Sequence, residues 1–435
     1  MSAQDISLKQ KSYRYYVLAL LALTYAFSFM DRQIVSILLG DLKAEFDLND
    51  TQLGLLSGLA FALFYSTLAL PIARLADKSN RVNIIAVAVG LWSVVTALCG
   101  VVQNFWQLFL GRVGVGVGEA GGLSPAHSVL SDYFGEKERA LALSLYSLGI
   151  GVGAFMGLAL GGYVAQEYGW RMAFIIAGLP GLLLALLVWL TIKEPPRGQM
   201  DKVDGDDASL PVMETLRDLA ANRVYRNVVA AHVLVVFTGY SFSAWLPQHI
   251  LRSFTDISQA QVGTIIGLVF LVGAVGGMLS GGLISNYFGR RFGRGWQLRP
   301  ATYGVALAVP VYIAALAADQ FAIAVTLFVL GGLLIYQQHG PGLAVVQSSV
   351  KPSQRAFAAS LNFFFSNFLG LGIGPLLVGA ISDALAPSYG AASLSYALMF
   401  STLFAGVGFF IFLRTCNEMD NARDRERDRE TDGES

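Results

Sequence analysis

The chain has 435 residues, of which 54% are hydrophobic and only 14% charged, and thirty basic side chains balance thirty acidic ones. Soluble domains carry roughly 25% charged residues, so this composition excludes an ordinary soluble enzyme, and the neutral balance points away from nucleic acid. Forty-seven glycines and thirteen prolines suit membrane helices, where both residue types are common.

The first fourteen residues are polar, and the apolar run after them is too long for the core of a cleaved signal peptide. That run is predicted to be a retained membrane helix. A hydrocarbon core needs about 20 apolar residues per crossing. In chain order such runs fall at 15–39, 53–75, 82–102, 105–130, 139–165, 172–192, 228–250, 262–285, 301–317, 321–349, 356–381 and 393–414. The sequence therefore predicts an all-α polytopic membrane protein with 12 transmembrane helices. Cys99 and Cys416 stand in different runs without metal-ligand spacing, so they read as free thiols. No metal and no cofactor is expected.

Lysine and arginine fix the expected orientation. With the N-terminus inside, 25 of the thirty basic residues fall in cytoplasmic segments, while Lys43, Arg171 and Arg252 fall outside and Arg32 and Arg112 lie within runs. Both termini are then cytoplasmic. The last segment, 415–435, alternates charge without apolar periodicity and is expected to be a disordered cytoplasmic tail.

An internal repeat organises the rest. Arg139-Ala-Leu-Ala-Leu-Ser-Leu145 opens the fifth run and Arg355-Ala-Phe-Ala-Ala-Ser-Leu361 opens the eleventh, with five of seven positions identical at an offset of 216. Residues 1–192 and 228–414 are thus expected to be two six-helix halves, joined by a cytoplasmic linker at 193–227. Within that linker, 213–222 can form a short amphipathic helix at the membrane surface. Gly149, Gly153, Gly157 and Gly161 recur every four residues, a spacing that lets helices approach closely.

The loop after the second run reads Ala73-Arg-Leu-Ala-Asp77-Lys-Ser-Asn-Arg81, and the loop after the eighth reads Gly282-Leu-Ile-Ser-Asn286-Tyr-Phe-Gly289-Arg290-Arg291. Both resemble the loop motif of major facilitator transporters, which implies the major facilitator fold and a cytoplasmic gate built on Asp77, Arg81, Asn286 and Arg290. Asn80 stands at a glycine position of that motif, where a left-handed turn is expected. In the second copy Asn286 replaces the acid.

Phe29-Met-Asp31-Arg32, Leu53-Gly-Leu-Leu-Ser57, Gly111-Arg112 with Val117-Gly118-Glu119-Ala120, the segment Ser131 to Ala140, and Gly169-Trp170-Arg171 resemble the Spinster group within that superfamily. The resemblance implies a proton-linked carrier of lysolipids and sphingoid lipids such as sphingosine 1-phosphate.

An ionisable side chain at membrane depth costs at least about 2.5–3.5 kcal/mol, so each one asks for a function. Asp31, Arg32, Arg112 and Glu119 are such residues. By the helical rise, Asp31 is expected about 24 Å along the first run from Tyr15, and Arg112 and Glu119 about 10 and 21 Å into the fourth from Phe105. In a core about 30 Å thick, Asp31 and Arg112 then share a depth toward the outer side. Arg112, with its planar fork of donors, is expected to attract an anionic head group, and Asp31 to compete for it. Asp31 and Glu119 are the expected proton-coupling residues. The alternative is a fixed Asp31–Arg112 or Asp31–Arg32 pair that only ties helices together. Arg32 can also snorkel to the interface.

The second half offers neutral polar groups instead: Gln338 and His339 in the tenth run, and Asn362 in the eleventh. With Arg32, Tyr65, Tyr146 and Trp245 they complete the expected substrate-binding set. Its partners are expected to be a small amphipathic solute, protons and membrane lipids, with a monomer as the functional unit. A rival reading is a symporter for a small organic anion or sugar acid. A membrane enzyme is disfavoured, because no HExxH, GxSxG or paired acidic metal motif occurs.

Overall fold

The computed structural model describes residues 3–198, 200 and 212–433. The centre of the linker, 201–211, lies outside the described residues. Among them there is no strand, and ten helical stretches are long and apolar enough to cross a membrane.

Those ten stretches hold eleven spans, and a broken one between Phe105 and Tyr133 makes the twelfth. Span 4 is missing from the ten because it is broken into Phe105–Glu119 and Leu123–Tyr133. The last stretch, Arg355–Asn421, holds two spans that turn at Gly390, whose φ is +54°. The remaining spans are Ala3–Phe46, Asp50–Ala76, Arg81–Cys99, Leu141–Tyr168, Trp170–Thr191, Arg223–Ser253, Gln259–Phe292, Gly295–Leu316 and Phe321–Ser348. The expected linker helix is present at Val212–Ala221. Span 12 continues as helix to Gly433, so the tail predicted to lack structure is helical that far.

The chain divides into two compact units. The first holds spans 1 to 6 together with Ala244–Leu268, the hairpin between spans 7 and 8. The second holds the linker helix, span 7 up to Ser243, and everything from Val269 onward.

Glycine spacing decides how the first unit packs. A Cβ at Gly149 would meet the Ala22 carbonyl at 2.8 Å, one at Gly153 would collide with the Ala26 carbonyl, and one at Gly157 would meet the Met30 carbonyl at 2.6 Å. At Gly161 it would meet Ile34 Cγ1 at 2.7 Å. The four-residue stripe on span 5 therefore rides along span 1 in matching four-residue steps, with backbone against backbone. Span 4 uses the same device, Gly116 against the Phe61 carbonyl of span 2 and Gly118 against the Trp92 backbone of span 3.

The loop between spans 2 and 3 is organised by the start of the linker. Arg81 is 1% exposed and donates to Asp132 at 2.5 Å, to Glu194 at 2.6 Å, to Ser128 Oγ at 2.8 Å and to the Pro195 carbonyl at 2.9 Å. Glu194 also accepts from the Val82 amide at 3.0 Å, and Arg197 donates to the carbonyls of Ala76 and Ser79 at 2.7 Å each. The orphan amides and carbonyls at two helix ends are thus satisfied by one segment. Asn80 does not make the left-handed turn expected of it. Its φ is −66°, and its side chain caps span 3 by accepting from the Asn83 amide, which is what asparagine does best before a helix. Replacing Arg81 with alanine leaves Asp132 and Glu194 without their cation. We expect a loss of about 3–5 kcal/mol, read as a fall in the thermal unfolding midpoint of the purified protein.

At the opposite end of the first unit Asp50 gathers two cations. Arg252 donates to both of its carboxylate oxygens at 2.7 and 2.8 Å, and Lys43 lies at 2.6 Å. Gln259 donates to Asp41 at 2.8 Å and to the Ile37 carbonyl at 3.0 Å. Asp41, Lys43, Arg252 and Gln259 help line a pocket of about 300 Å³.

Candidate transport site

Four charges meet in the first unit, but not in the pairing the sequence suggested. Arg32 Nε donates to Glu119 Oε2 at 2.7 Å, with Nη2 at 2.6 Å from the same oxygen. Ser28, one turn before Arg32 on span 1, donates to that oxygen at 2.7 Å. Asp31 and Arg112 form no ion pair with each other. The Arg112 guanidinium reaches only the backbone carbonyl of Asp31, at 3.4 Å, while the Asp31 carboxylate accepts from Thr96 at 3.0 Å.

The reason is rotation about span 1. Adjacent residues of a helix point about 100° apart, so the Asp31 carboxylate turns to Thr96 on span 3 while Arg32 turns to Glu119 on span 4. Residues 28 and 32 share a helical face, and that face meets Glu119. Arg32 therefore does not snorkel outward. Its guanidinium lies 4.4 Å from the Tyr65 ring centroid, 4.7 Å from Phe61 and 4.8 Å from Phe29, an aromatic surround that stabilises a cation.

Burial leaves the site with unmet capacity. Asp31 and Arg112 are each 1% exposed and Glu119 is 2% exposed. Asp31 Oδ1, Glu119 Oε1 and Arg112 Nε have no hydrogen-bond partner among the described residues. Buried polar atoms are rarely left so, and here two are carboxylate oxygens on which a proton can sit. A cleft with space for about 10 Å³, close to one water molecule, opens between Arg32, Glu119, Ser28, Tyr65, Trp92 and Tyr146. Tyr146 stacks on Tyr25 at 4.6 Å. Of the predicted set, Asp31, Arg32, Tyr65, Arg112, Glu119 and Tyr146 thus converge. Trp245 does not join them. It is fully buried in the hairpin that belongs to the first unit, with the Arg252 guanidinium 6.0 Å from its ring centroid.

The second unit carries its own polar cluster. Span 10 is interrupted between Tyr336 and His339, the counterpart of the break in span 4 between Glu119 and Leu123. Gln338 at this break is fully buried and bonds His232 Nδ1 at 2.7 Å, and its Nε2 has no partner among the described residues. The His339 ring lies 5.3 Å from His232 and 5.5 Å from Tyr336. On span 11, Asn362 is buried with its carbonyl oxygen unpartnered. It stands one turn before a π-helical stretch, Ser366–Ile373, a distortion often found at functional sites.

The gate residues part company. Asp77 is exposed and forms no ion pair among the described residues, and Arg81 is buried in its clamp. Asn286 and Arg290 are both exposed. Sequence reading did not single out Ser28, Thr96, Glu194, Asp50, Arg252 or His232 for a role. Ser28 carried a signal in its four-residue spacing to Arg32. Both span breaks were also foreshadowed, by Gly121-Gly122 and by Gly340-Pro341-Gly342, because glycine and proline at corresponding places in two repeats mark interrupted helices.

Twelve spans in a repeated order, two of them broken at buried polar residues, define a polytopic membrane transporter. Residues 21–375 match the Major Facilitator Superfamily, and the chain belongs to that superfamily. Within it the chain belongs to the Spinster group. It is 30% identical to protein spinster homolog 1 of Xenopus tropicalis over 438 residues, covering 95% of this chain and 83% of that one. It is also similar to the sphingosine-1-phosphate transporter of Danio rerio, at 28% identity over 89% of this chain and 81% of that one. An MFS-type efflux pump of Mycolicibacterium smegmatis is 31% identical over 87% of each chain. Among solved structures, a bacterial homologue of the human lysosomal transporter Spinster superposes with a TM-score of 0.84 at 28% identity. That match covers 93% of this chain and 97% of the homologue.

Proposed function

We propose that this chain is a proton-coupled secondary transporter that moves an amphipathic anionic lipid, of the lysophospholipid or sphingosine 1-phosphate kind, by alternating access. The observation that carries the reading is the buried Arg32–Glu119 pair with Asp31 and Arg112 beside it, all holding unmet or exchangeable hydrogen-bonding capacity. The similarity to a sphingosine-1-phosphate transporter supports the substrate class.

The steps follow from charge balance. An anionic head group is drawn to Arg112, whose planar fork suits phosphate or carboxylate, and competes with Glu119 for Arg32. Glu119, released from its cation in a dry site, takes up a proton, so the buried charge stays constant while the solute enters. Asp31 is the second proton site, and the two carboxylates titrate as a set. Tyr65 and Tyr146 flank the head group. Within the second unit, the polar cluster of Gln338, His339 and Asn362 is also assigned to solute binding. We assign the protein to the inner membrane of the cell, as a functional monomer with both termini cytoplasmic.

Uptake into proteoliposomes under an imposed pH gradient tests this reading, with a fluorescent lysophospholipid compared against a hydrophilic sugar acid. We expect gradient-driven movement of the lysolipid and none of the sugar acid. The reverse result assigns the site to a small organic anion.

A further inference from the structure

The two copies of the loop motif place the same arginine in opposite circumstances. Arg81 in the first copy is sealed between Asp132 and Glu194. Its counterpart Arg290, and Arg291 after it, are exposed at the end of span 8 with no acidic partner among the described residues. The motif's own acid is gone, because Asn286 stands at that place. Acids are nevertheless within reach of this loop, since Arg299 pairs with Asp420 at 2.7 Å. Arg290 and Arg291 are left over.

They project from a rigid aromatic turn. Gly293, with φ +103°, reverses the chain into a short 3₁₀ helix, Arg294–Gln297. Trp296 is thereby folded back onto span 8, stacked on Phe288 at 6.0 Å and packed against Phe292 at 5.1 Å. Tyr287 and Phe292 remain 58% and 43% exposed, and the Arg291 guanidinium lies 5.7 Å from the Phe292 ring and 3.4 Å from the Tyr287 hydroxyl. A membrane helix thus ends in two exposed arginines without an acidic partner among the described residues, the second of them beside half-exposed aromatics. Aromatic side chains favour the membrane–water boundary, and unpaired arginines there recruit anionic lipid.

We propose that Arg290 and Arg291, with Tyr287 and Phe292, form a binding site for the phosphate head group of an anionic membrane phospholipid. The guanidinium forks hold the phosphate, and the aromatic rings lie along the glycerol and upper acyl chain. The proposal does not rest on the substrate assigned above.

The test uses the full chain in nanodiscs of phosphatidylglycerol or phosphatidylcholine, with bound lipid counted by native mass spectrometry after controlled extraction. The wild type is expected to retain phosphatidylglycerol in preference to phosphatidylcholine, and to lose that preference in high salt. The double variant Arg290→Gln, Arg291→Gln is expected to bind phosphatidylglycerol about twenty-five-fold more weakly, about fivefold for each arginine. The variant Lys351→Gln, Arg355→Gln removes the same charge elsewhere on the second unit and is expected to bind as the wild type does. Equal retention of the two lipids by the wild type overturns the proposal without recourse to any variant. So does equal loss in both double variants, or displacement of the lipid by free glycerol phosphate at matched concentration.

Discussion

Changing Glu119 to glutamine is expected to abolish pH-driven transport while leaving folded protein in the membrane. The amide keeps the size of the side chain and can still accept from Ser28 and Arg32, which now bond Glu119 Oε2, but it cannot exchange a proton. Rate should fall to background, a loss of at least about a hundredfold, as expected when an acid–base group is removed. Arg32→Ala should be equally inactive for a different reason, since it removes the cation and leaves Glu119 buried alone. That variant should also lose about 3–5 kcal/mol of stability, so thermal unfolding separates the two. Asp31→Asn completes the set. Its carboxylate has no cation at bonding distance, and the amide can still accept from Thr96. Transport should be lost with the unfolding midpoint equal to or above that of the wild type. A purely structural role for these residues predicts the opposite order, with stability falling first.

Placing leucine at Gly153 should be the most damaging apolar change in the chain. A Cβ there collides with the Ala26 carbonyl and meets the Phe29 Cβ at 2.8 Å. Neither obstacle is a flexible side-chain end, so spans 1 and 5 must separate. Overpacking of this kind costs about 1–3 kcal/mol and often more, and here it also displaces the span that carries Asp31 and Arg32. Yield of monodisperse protein and its unfolding midpoint should both drop sharply. The neighbouring change Val152→Leu, at a side chain 43% exposed, should leave both intact.

Much of this fold can be read from the chain, because lipid admits few solutions. Each apolar run must close its own backbone hydrogen bonds, so runs become helices, and a repeat of six runs becomes a repeat of six spans. The glycine stripe at 149, 153, 157 and 161 was equally legible, since its four-residue period matches one face of a helix. The site was legible only in composition. Asp31, Arg32, Arg112 and Glu119 declare themselves by being charged in apolar runs. Their pairing depends on helix rotation, and the step of about 100° between adjacent residues is what sets Arg32, and not Asp31, against Glu119. Long-range partners such as Glu194 for Arg81, or His232 for Gln338, have no local signature. They lie 113 and 106 residues apart in sequence, and only packing brings them together.

Proton movement during transport is the quantity to record. Proteoliposomes loaded with a pH-sensitive dye, and given lysophospholipid without any imposed gradient, should change their internal pH when the protein is wild type and stay flat with Glu119→Gln. If the Glu119→Gln protein moves protons with the lipid as the wild type does, the Arg32–Glu119 pair is a strut between two helices and the coupling lies elsewhere.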